Sequence, residues 1–413
     1  MQKPKSPSRD SRGTIIKLLR VSRQTTRTEL ASRSGLSKAT VSEIAAALLE
    51  EGFVHEVGKF QAGRGRSRVL LEFQPMARLV LGAQLDDTSC TVVLADLRAE
   101  PRHRAVRPVS GTTPAHFIDA ICGCVDELRP TAEAPIVGLG VGVPASVDPS
   151  GRRVTVSVPY GWRDISFADE VEARVGLPVV IANRAKVAAL GELWQGANPG
   201  VDDFVYVFVG GGIVAGIVAN GALYFGAAGG AGELGHVTVL PDGPACGCGN
   251  NGCLHMLASE SAILRTVRAR ARQADGQTVL TALSGGSLDQ ISLDVLLEAA
   301  AQGDGIVLET LEEAGTYLGL AIANVINLLN PRMVVIGGPV ARFGEPLLAA
   351  IRREVRRRAL WDSLANIDIV LSTLVEEEGA VGAAALFLEH LDDAGTDMVL
   401  GQAGEGVSLA ARR

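Results

Sequence analysis

The segment from Phe204 to Gly232 constrains the fold more than any other stretch, because none of its side chains is charged. An apolar stretch of this length could cross a membrane as a helix. It also contains nine glycines and the pair Asn220-Gly221, which favour tight turns between strands. We therefore expect buried strands here and no membrane segment. The basic N-terminal residues, with no apolar signal region after them, add the expectation of a cytoplasmic protein.

Charge is distributed unevenly along the 413 residues. Residues 1–70 contain 14 Lys and Arg against 6 Asp and Glu, whereas the remainder contains 25 against 40. The overall formal charge of −7 excludes a uniformly basic nucleic-acid coat protein, and the hydrophobic content of 47% excludes a wholly disordered chain. The length predicts two or three domains. A small basic head on a large acidic body indicates that the head binds a polyanion.

The head has the pattern of a winged helix-turn-helix, predicted over residues 12–74 after a flexible basic N-terminus at 1–11. The second helix would open with the capping-box pattern Thr26-x-x-Glu29, and the third with an N-cap at Ser37. A Gly- and Arg-rich stretch between the two strands would form the wing. The predicted elements are three helices within 13–51 and strands near 53–57 and 69–73.

The third helix would enter the DNA major groove, with Val41, Ile44 and Leu48 facing the other two helices. That packing leaves short polar or cationic side chains at the helix start, suited to base edges and phosphates. The predicted DNA-binding residues, including two wing arginines, are Ser37, Lys38, Thr40, Ser42, Arg64 and Arg66. The alternative is a small helical domain whose charges are only solvated. Helix spacing, wing and charge together favour a double-stranded DNA operator as partner.

From residue 79 onward, strand patterns alternate with helix patterns, which predicts an α/β body in two lobes. The expected strands cover 79–85, 90–96, 136–143, 178–182, 204–209, 213–219 and 332–336. The expected helices cover 114–128, 184–194, 256–273, 305–329 and 344–358.

Three cysteines and one histidine have the spacing of a metal site, in which Cys246, Cys248 and Cys253 follow His236. One imidazole and three thiolates form a closed tetrahedral set for structural Zn²⁺, with no open position for water. The alternative is a group of buried or idle thiols, but the flanking glycines offer no apolar environment to bury them. His255 competes with His236 for the nitrogen ligand. We predict a structural zinc.

Four segments resemble one family, and their residues carry the resemblance. They are Val209-Gly210-Gly211-Gly212-Ile213-Val214-Ala215-Gly216-Ile217, Gly232-Glu233-Leu234-Gly235-His236, Cys246-Gly247-Cys248-Gly249-Asn250-Asn251-Gly252-Cys253-Leu254 and Val334-Val335-Ile336-Gly337-Gly338. With the N-terminal DNA reader, they make residues 13–390 similar to transcriptional regulators of the ROK family (repressors, open reading frames and sugar kinases). The Glu-x-Gly-His and Cys-x-Cys-x4-Cys motifs are the specific part of this resemblance.

The resemblance implies an actin-like, ribonuclease H-like body with the two lobes of a sugar kinase and a sugar in the cleft. We expect this body over 79–391. Its expected divisions are lobe I at about 79–182 with a C-terminal helix at 377–391, lobe II at about 183–376, and a flexible tail at 392–413.

The sequence departs from the family where phosphoryl transfer needs chemistry. A sugar kinase needs a carboxylate base, and Arg184 occupies the position of the family's Asp. The first phosphate loop of the family, Asp-x-Gly-Gly-Thr-Lys, is replaced by Gln84-Leu85-Asp86-Asp87-Thr88-Ser89, and Val214 replaces a glycine in the second. Carboxylates at Asp86 and Asp87 would repel phosphates. We therefore predict a protein that is not an enzyme. The alternative is an ATP-dependent sugar kinase, hexokinase- or glucokinase-like, with an appended DNA-binding domain.

The cleft of a non-enzyme can still bind an effector. Asn183, Glu233 and His236 match sugar contacts of the family, and His255 stands where the family usually has Glu. Arg184 could favour a phosphorylated ligand or form a salt bridge with Glu233. The sequence predicts a carbohydrate-responsive regulator, by default a repressor, with a sugar or sugar-phosphate effector and a homodimeric or homotetrameric state. Closure of the lobes would be relayed to the heads through the zinc segment. A third hypothesis is an interaction module that does not bind DNA.

Overall fold

The computed structural model describes residues 9–60, 67–198, 200–274, 278–360, 364, 367–374 and 378–394. The three predicted head helices are present and pack on a small antiparallel sheet. The head elements are α1 (Arg9–Val21), β1 (Thr25–Thr26), α2 (Arg27–Ser34), α3 (Lys38–Glu50), β2 (Val54–Phe60) and β3 (Arg68–Phe73). The sheet has the order β1-β3-β2. The sequence pattern missed β1 because two residues are too few to show alternation.

Local capping fixes the helix-turn-helix geometry. The Thr26 hydroxyl accepts a hydrogen bond from the Glu29 amide at 3.2 Å and so begins α2 as predicted. Gly35 ends α2 with φ +69°, a left-handed conformation that costs glycine little. Ser37 then caps α3 by accepting from the Thr40 amide at 3.1 Å. Val41, Ile44 and Leu48 are buried in the head core, as the helical spacing predicts.

The body begins with lobe I, whose main sheet contributes residues to two apolar clusters. Its strands are β4 (Leu79–Leu85), β5 (Ser89–Asp96), β6 (Pro101–Pro108), β7 (Ile136–Val143), β8 (Ser146–Val147), β9 (Val154–Ser157), β10 (Trp162–Ile165) and β11 (Val179–Asn183). Its helices are α4 (Pro114–Leu128) and α5 (Phe167–Val175). The sequence missed β6, whose outer positions are polar because it forms the edge of the sheet.

Lobe II follows, beginning with the helix α6 (Arg184–Gln195). Its strands are β12 (Phe204–Val209), β13 (Ile213–Ala219), β14 (Ala222–Leu223), β15 (Met333–Gly337) and β16 (Asp368–Leu371). Its further helices are α7 (His255–Ala258), α8 (Glu260–Gln273), α9 (Val279–Leu283), α10 (Leu293–Ala301), α11 (Gly305–Leu329) and α12 (Glu345–Arg358), and the chain returns to lobe I with α13 (Glu378–Ala394). The helix expected over 256–273 is interrupted because Ser259 adopts an extended conformation and caps α8.

Both lobes have a five-stranded sheet of the same design. The orders are β11-β7-β4-β5-β6 and β14-β13-β12-β15-β16, each with three parallel strands continued by antiparallel neighbours. This confirms the predicted two-lobed α/β class. The uncharged segment from Phe204 to Gly232 forms β12, β13 and β14, as expected. None of the helices in the described part of the chain is long and apolar enough to span a bilayer.

A buried ion pair joins the head to the body. Arg20 of α1 donates to both carboxylate oxygens of Asp392 in α13, at 2.7 and 3.1 Å, and the two side chains are 7% and 1% exposed. The Arg20 guanidinium also lies 5.0 Å from the ring centroid of Trp194 at the end of α6. Asp392 lies in the last turn of α13, which extends to Ala394, beyond the helix end expected at 391.

We expect Asp392→Ala to lower the free energy of unfolding by about 3–5 kcal/mol, because it leaves Arg20 buried without its counter-charge. Urea denaturation followed by circular dichroism measures the change. The matched control is Asp119→Ala, which removes an exposed partner of Arg174 and should cost less than about 1 kcal/mol. Equal losses in the two variants would contradict a structural role for the buried pair.

Candidate DNA reader, effector cleft and metal centre

The first turn of α3 presents the residues predicted to bind DNA. Lys38 and Ser42 are exposed, whereas Thr40 is half-buried. Ser37 is exposed but its hydroxyl lies 2.9 Å from that of Thr40 while it caps the helix. Lys38 and Ser42 therefore project most freely, and Ser37 and Thr40 fix the start of the helix between them.

The other two predicted DNA contacts are in the wing. Arg64 and Arg66 lie in 61–66, outside the described residues. The strands that lead into and out of this segment, β2 and β3, pair in antiparallel fashion as far as Phe60 and Arg68. The two strands of the hairpin that is expected to carry the wing are therefore paired up to Phe60 and Arg68.

Four side chains meet at the metal motif. The ligand atoms of His236, Cys246, Cys248 and Cys253 all lie within 4.8 Å of one another. The Cys248 and Cys253 sulfurs are 3.7 Å apart, as are the Cys246 sulfur and His236 Nδ1. Tetrahedral zinc–sulfur bonds of about 2.3 Å place neighbouring sulfurs about 3.8 Å apart. The spacing of this donor set therefore suits a zinc ion.

The geometry selects His236 as the nitrogen donor of this group. His255 lies outside the cluster, with its ring centroid 6.3 Å from that of His236. The expectation that glycines leave all three thiols without burial is wrong, since Cys246 and Cys253 are buried and only Cys248 is exposed. Cys253 is covered because it pairs with Thr238 in a β-bridge and directs its thiol toward the His236 carbonyl, 3.6 Å away.

A cleft of about 780 Å³ separates the lobes, and one wall of it is the metal motif. All four residues predicted to contact the effector line this cleft: Asn183, Glu233, His236 and His255. His236 therefore belongs both to the metal cluster and to the cleft wall. A ligand in the cleft and a metal in the cluster would be in contact with the same residue.

Asn183 and Glu233 are held in place by lobe I and by α6. The Asn183 amide donates to the Ala145 carbonyl at 3.0 Å, and its side-chain oxygen accepts from the Ala185 amide at 2.9 Å, which caps α6. The Ser146 hydroxyl donates to Glu233 at 3.4 Å. Ser146 was missed by sequence reasoning because an isolated serine between strands has no distinguishing pattern.

Arg184 pairs with Asp87 and does not pair with Glu233, the partner considered from the sequence. Its guanidinium donates to Asp87 at 3.1 Å and lies 4.6 Å from the ring centroid of Phe208. The Tyr160 hydroxyl donates to the same Asp87 oxygen at 2.7 Å, and burial together with this hydrogen bond raises the pKa of Tyr160. The stacking on Phe208 directs Arg184 toward the β4–β5 turn, where Asp87 lies.

The Asp87 carboxylate also lies against the glycine loop between β12 and β13. A Cβ added to Gly211 would collide with an Asp87 oxygen, so the carboxylate contacts the backbone of this loop. Beside it, Gln84 donates to Asp86 at 3.0 Å. Burial raises the pKa of Asp86, although Arg184 opposes the shift. Asp87 and Arg184 thus place an anionic and a cationic side chain at the loop that resembles a phosphate-binding hairpin.

Comparison with known families decides the classification. Residues 80–390 match the ROK family, and residues 13–58 match the IclR helix-turn-helix domain. The chain belongs to the ROK family. This confirms the resemblance drawn from the glycine, histidine and cysteine motifs.

Relatives within the ROK family include both regulators and kinases. A putative xylose repressor from Caldicellulosiruptor sp. (strain Rt8B.4) is 31% identical over 383 residues, which cover 91% of this chain and 95% of the relative. A ROK family transcriptional regulator of known structure, a homolog of the E. coli MLC protein, is 27% identical with a TM-score of 0.81, covering 95% of this chain and 99% of that one. The ROK family glucokinase from Streptomyces griseus, solved with glucose and AMPPNP, is 32% identical with a TM-score of 0.69, covering 75% and 98%.

We expect His236→Ala and Cys248→Ser each to lower bound zinc from about one ion per chain to near zero, because a structural site needs all four donors. Plasma mass spectrometry of protein purified without chelators measures the content. The matched controls are His255→Ala and a change of the half-buried Cys122 in α4 of lobe I, Cys122→Ser. Because neither residue belongs to the cluster, both variants should keep full zinc. Loss of zinc in His255→Ala with retention in His236→Ala would reverse the assignment of the nitrogen ligand.

Proposed function

We propose that this ROK protein is a sugar-responsive transcriptional repressor of carbohydrate uptake or catabolism genes, with a sugar-kinase-like body that has no kinase activity. The observation that carries this proposal is that the Arg184–Asp87 ion pair lies against the glycine loop of a body that follows a helix-turn-helix in the same chain. The ion pair opposes phosphoryl transfer, and the helix-turn-helix provides a means of binding DNA. A ROK regulator aligned over 95% of this chain supports the same combination of parts.

DNA binding is proposed through α3 and the wing. Lys38 is a cation at the exposed start of α3, where it can reach a phosphate, and Ser42 lies one turn later. Arg64 and Arg66 are proposed to contact phosphates or the minor groove from the wing. A homodimer or homotetramer would present two heads to an operator with matching half-sites.

Effector binding is proposed in the cleft next to the metal motif. Glu233, His236 and His255 supply hydrogen-bonding groups there, and Asn183 shapes the wall. Because Asp87 neutralises Arg184, the pair does not offer a free cation to a phosphate, which favours a neutral sugar over a sugar phosphate. Structural zinc is proposed at His236, Cys246, Cys248 and Cys253, where it would fix the His236 ring that faces the cleft.

The absence of kinase activity is proposed on the chemistry of the cleft. A phosphoryl acceptor must lose its proton to a base, and Arg184 at the family's Asp position remains protonated near neutral pH. The Asp87 carboxylate lies against the glycine loop and would repel a nucleotide phosphate there. The alternative of a sugar kinase is kept because the Streptomyces griseus glucokinase is 32% identical.

We expect Lys38→Ala to weaken operator binding and to reduce the slope of log affinity against log salt by about one unit, since one phosphate contact is lost. The double variant Arg64→Ala with Arg66→Ala should reduce it by about two units. Fluorescence anisotropy with DNA fragments from the upstream region of the protein's own gene, between low and moderate salt, measures the slope.

Arg163→Ala is the control for the salt experiment, because Arg163 is an exposed arginine on β10 of lobe I. It should leave the slope unchanged. A slope that is identical in wild type, Lys38→Ala and the wing variant would remove the proposed surface from the DNA interface.

We expect at least one sugar from a panel of D-xylose, D-glucose and N-acetylglucosamine to raise the melting temperature and to release DNA, without ADP formation from ATP. Differential scanning fluorimetry, anisotropy and a coupled ADP assay with an active glucokinase as positive control provide the three readouts. Glu233→Gln should abolish the thermal shift because it removes a charged acceptor from the cleft. ADP formation that depends on sugar would establish the kinase alternative.

A further inference from the structure

Helix α6 connects the effector cleft with the DNA-binding head. Its first residue, Arg184, lines the cleft, and its N-cap Asn183 forms part of the same wall. Its last residues, Trp194 and Gln195, lie beside Arg20 and Arg98, where the head meets the body. Twelve helical residues span about 18 Å at about 1.5 Å per residue. One short helix therefore runs from the wall of the cleft to the contact between body and head.

The sides of α6 are packed backbone to backbone between the two lobes. Toward lobe II, a Cβ on Gly216 of β13 would collide with Ala189. Toward lobe I, a Cβ on Gly382 of α13 would collide with the Val187 carbonyl. At these two points no flexible side chain separates α6 from its neighbours, so we expect a change in the distance between the lobes to displace α6 as a unit.

The head end of α6 has two specific connections to α1. Gln195 donates to the Arg98 carbonyl at 2.8 Å, and the Arg98 side chain donates to the Arg20 carbonyl at 3.1 Å in the last turn of α1. Trp194 lies under the Arg20 guanidinium and donates to Glu389 of α13 at 3.3 Å. Residues of α1, α6 and α13 also belong to one continuous apolar cluster. Movement of α6 therefore reaches the Arg20–Asp392 ion pair directly.

We propose that α6 is the coupling element of this protein, with Trp194 and Gln195 positioning α1 according to the state of the cleft. This rests on the proposed function, since it specifies how the cleft regulates the head. The sequence predicts that the zinc segment relays the signal, and this segment lies against the cleft at His236. The contacts with α1 described above come instead from α6, α13 and the turn at Arg98. A ligand that binds one arrangement of the lobes more tightly shifts the population of α6 positions and thereby of head orientations.

The test perturbs the cleft end of α6 and reads the head, without sugar or DNA. Arg184→Gln removes the ion pair with Asp87. We expect amide hydrogen exchange in the last turn of α1, around Arg20, to rise about fivefold or more, the lower end of a typical allosteric coupling. Hydrogen exchange with mass spectrometry resolves this turn.

A second variant distinguishes a route through α6 from one through β5, the strand that also connects Asp87 with Arg98. Ala188→Gly with Ala189→Gly softens the middle of α6, because glycine disfavours helix, and leaves β5 unchanged. In this background Arg184→Gln should no longer alter exchange in α1. The matched control is Ala299→Gly with Ala300→Gly in α10, in which the full effect of Arg184→Gln should persist.

Gln195→Ala tests the same connection if the glycine variant fails to fold. It should likewise remove the response of α1 to Arg184→Gln while circular dichroism remains that of the wild type. An α1 that does not respond to Arg184→Gln, or that responds equally in the softened background, would overturn the coupling role of α6. Because neither readout uses sugar or operator, failure of the proposed function is detected separately by the DNA and sugar experiments.

Discussion

The ion pair between Arg184 and Asp87 sets the charges at the centre of the cleft. It places a fixed cation where a proton acceptor would be needed and a fixed carboxylate against the glycine loop. Tyr160 and Phe208 hold the pair from the two lobes. The backbone of the sugar-kinase fold is kept, including both five-stranded sheets and the loop between β12 and β13. What differs from the family pattern is the set of charges along the cleft, and the proposed absence of kinase activity rests on this difference.

The rest of the molecule is arranged around the same cleft. The metal motif forms one wall of the cleft through His236. A metal ion bound there would fix the orientation of the His236 ring, and a ligand in the cleft would contact the same ring. Helix α6 begins at the ion pair and ends under Arg20, between two backbones that glycines allow to approach closely. Cleft, metal motif and head are therefore connected through packed residues, and such contacts can carry energetic coupling between sites.

Much of the fold could be predicted from the sequence because the patterns are strong there. The helices at 114–128 and 305–329 and the strand at 204–209 begin and end where expected. Polar edge strands such as β6 and very short strands such as β1 were missed, since periodicity needs several half-buried residues. At the site, the spacing of His236 and the three cysteines predicted the residues that meet in the metal cluster, and the coordinates place the competitor His255 outside it. The Arg184 partner was not found from the sequence, because Asp87 is 97 residues away.

By itself the sequence determined the parts: a helix-turn-helix head, an α/β body of the ROK family, a His-Cys donor set and a cleft without a catalytic carboxylate at Arg184. These follow from local periodicity, from motif spacing and from the protonation chemistry of single residues, which act over a few positions in the chain. Only the tertiary structure decided which parts touch. Arg20 with Asp392, Trp194 under Arg20, and Asp87 against Gly211 join residues far apart in sequence. Such contacts depend on how whole sheets and helices pack, and that packing is set by the combined apolar surface of many residues rather than by a local pattern.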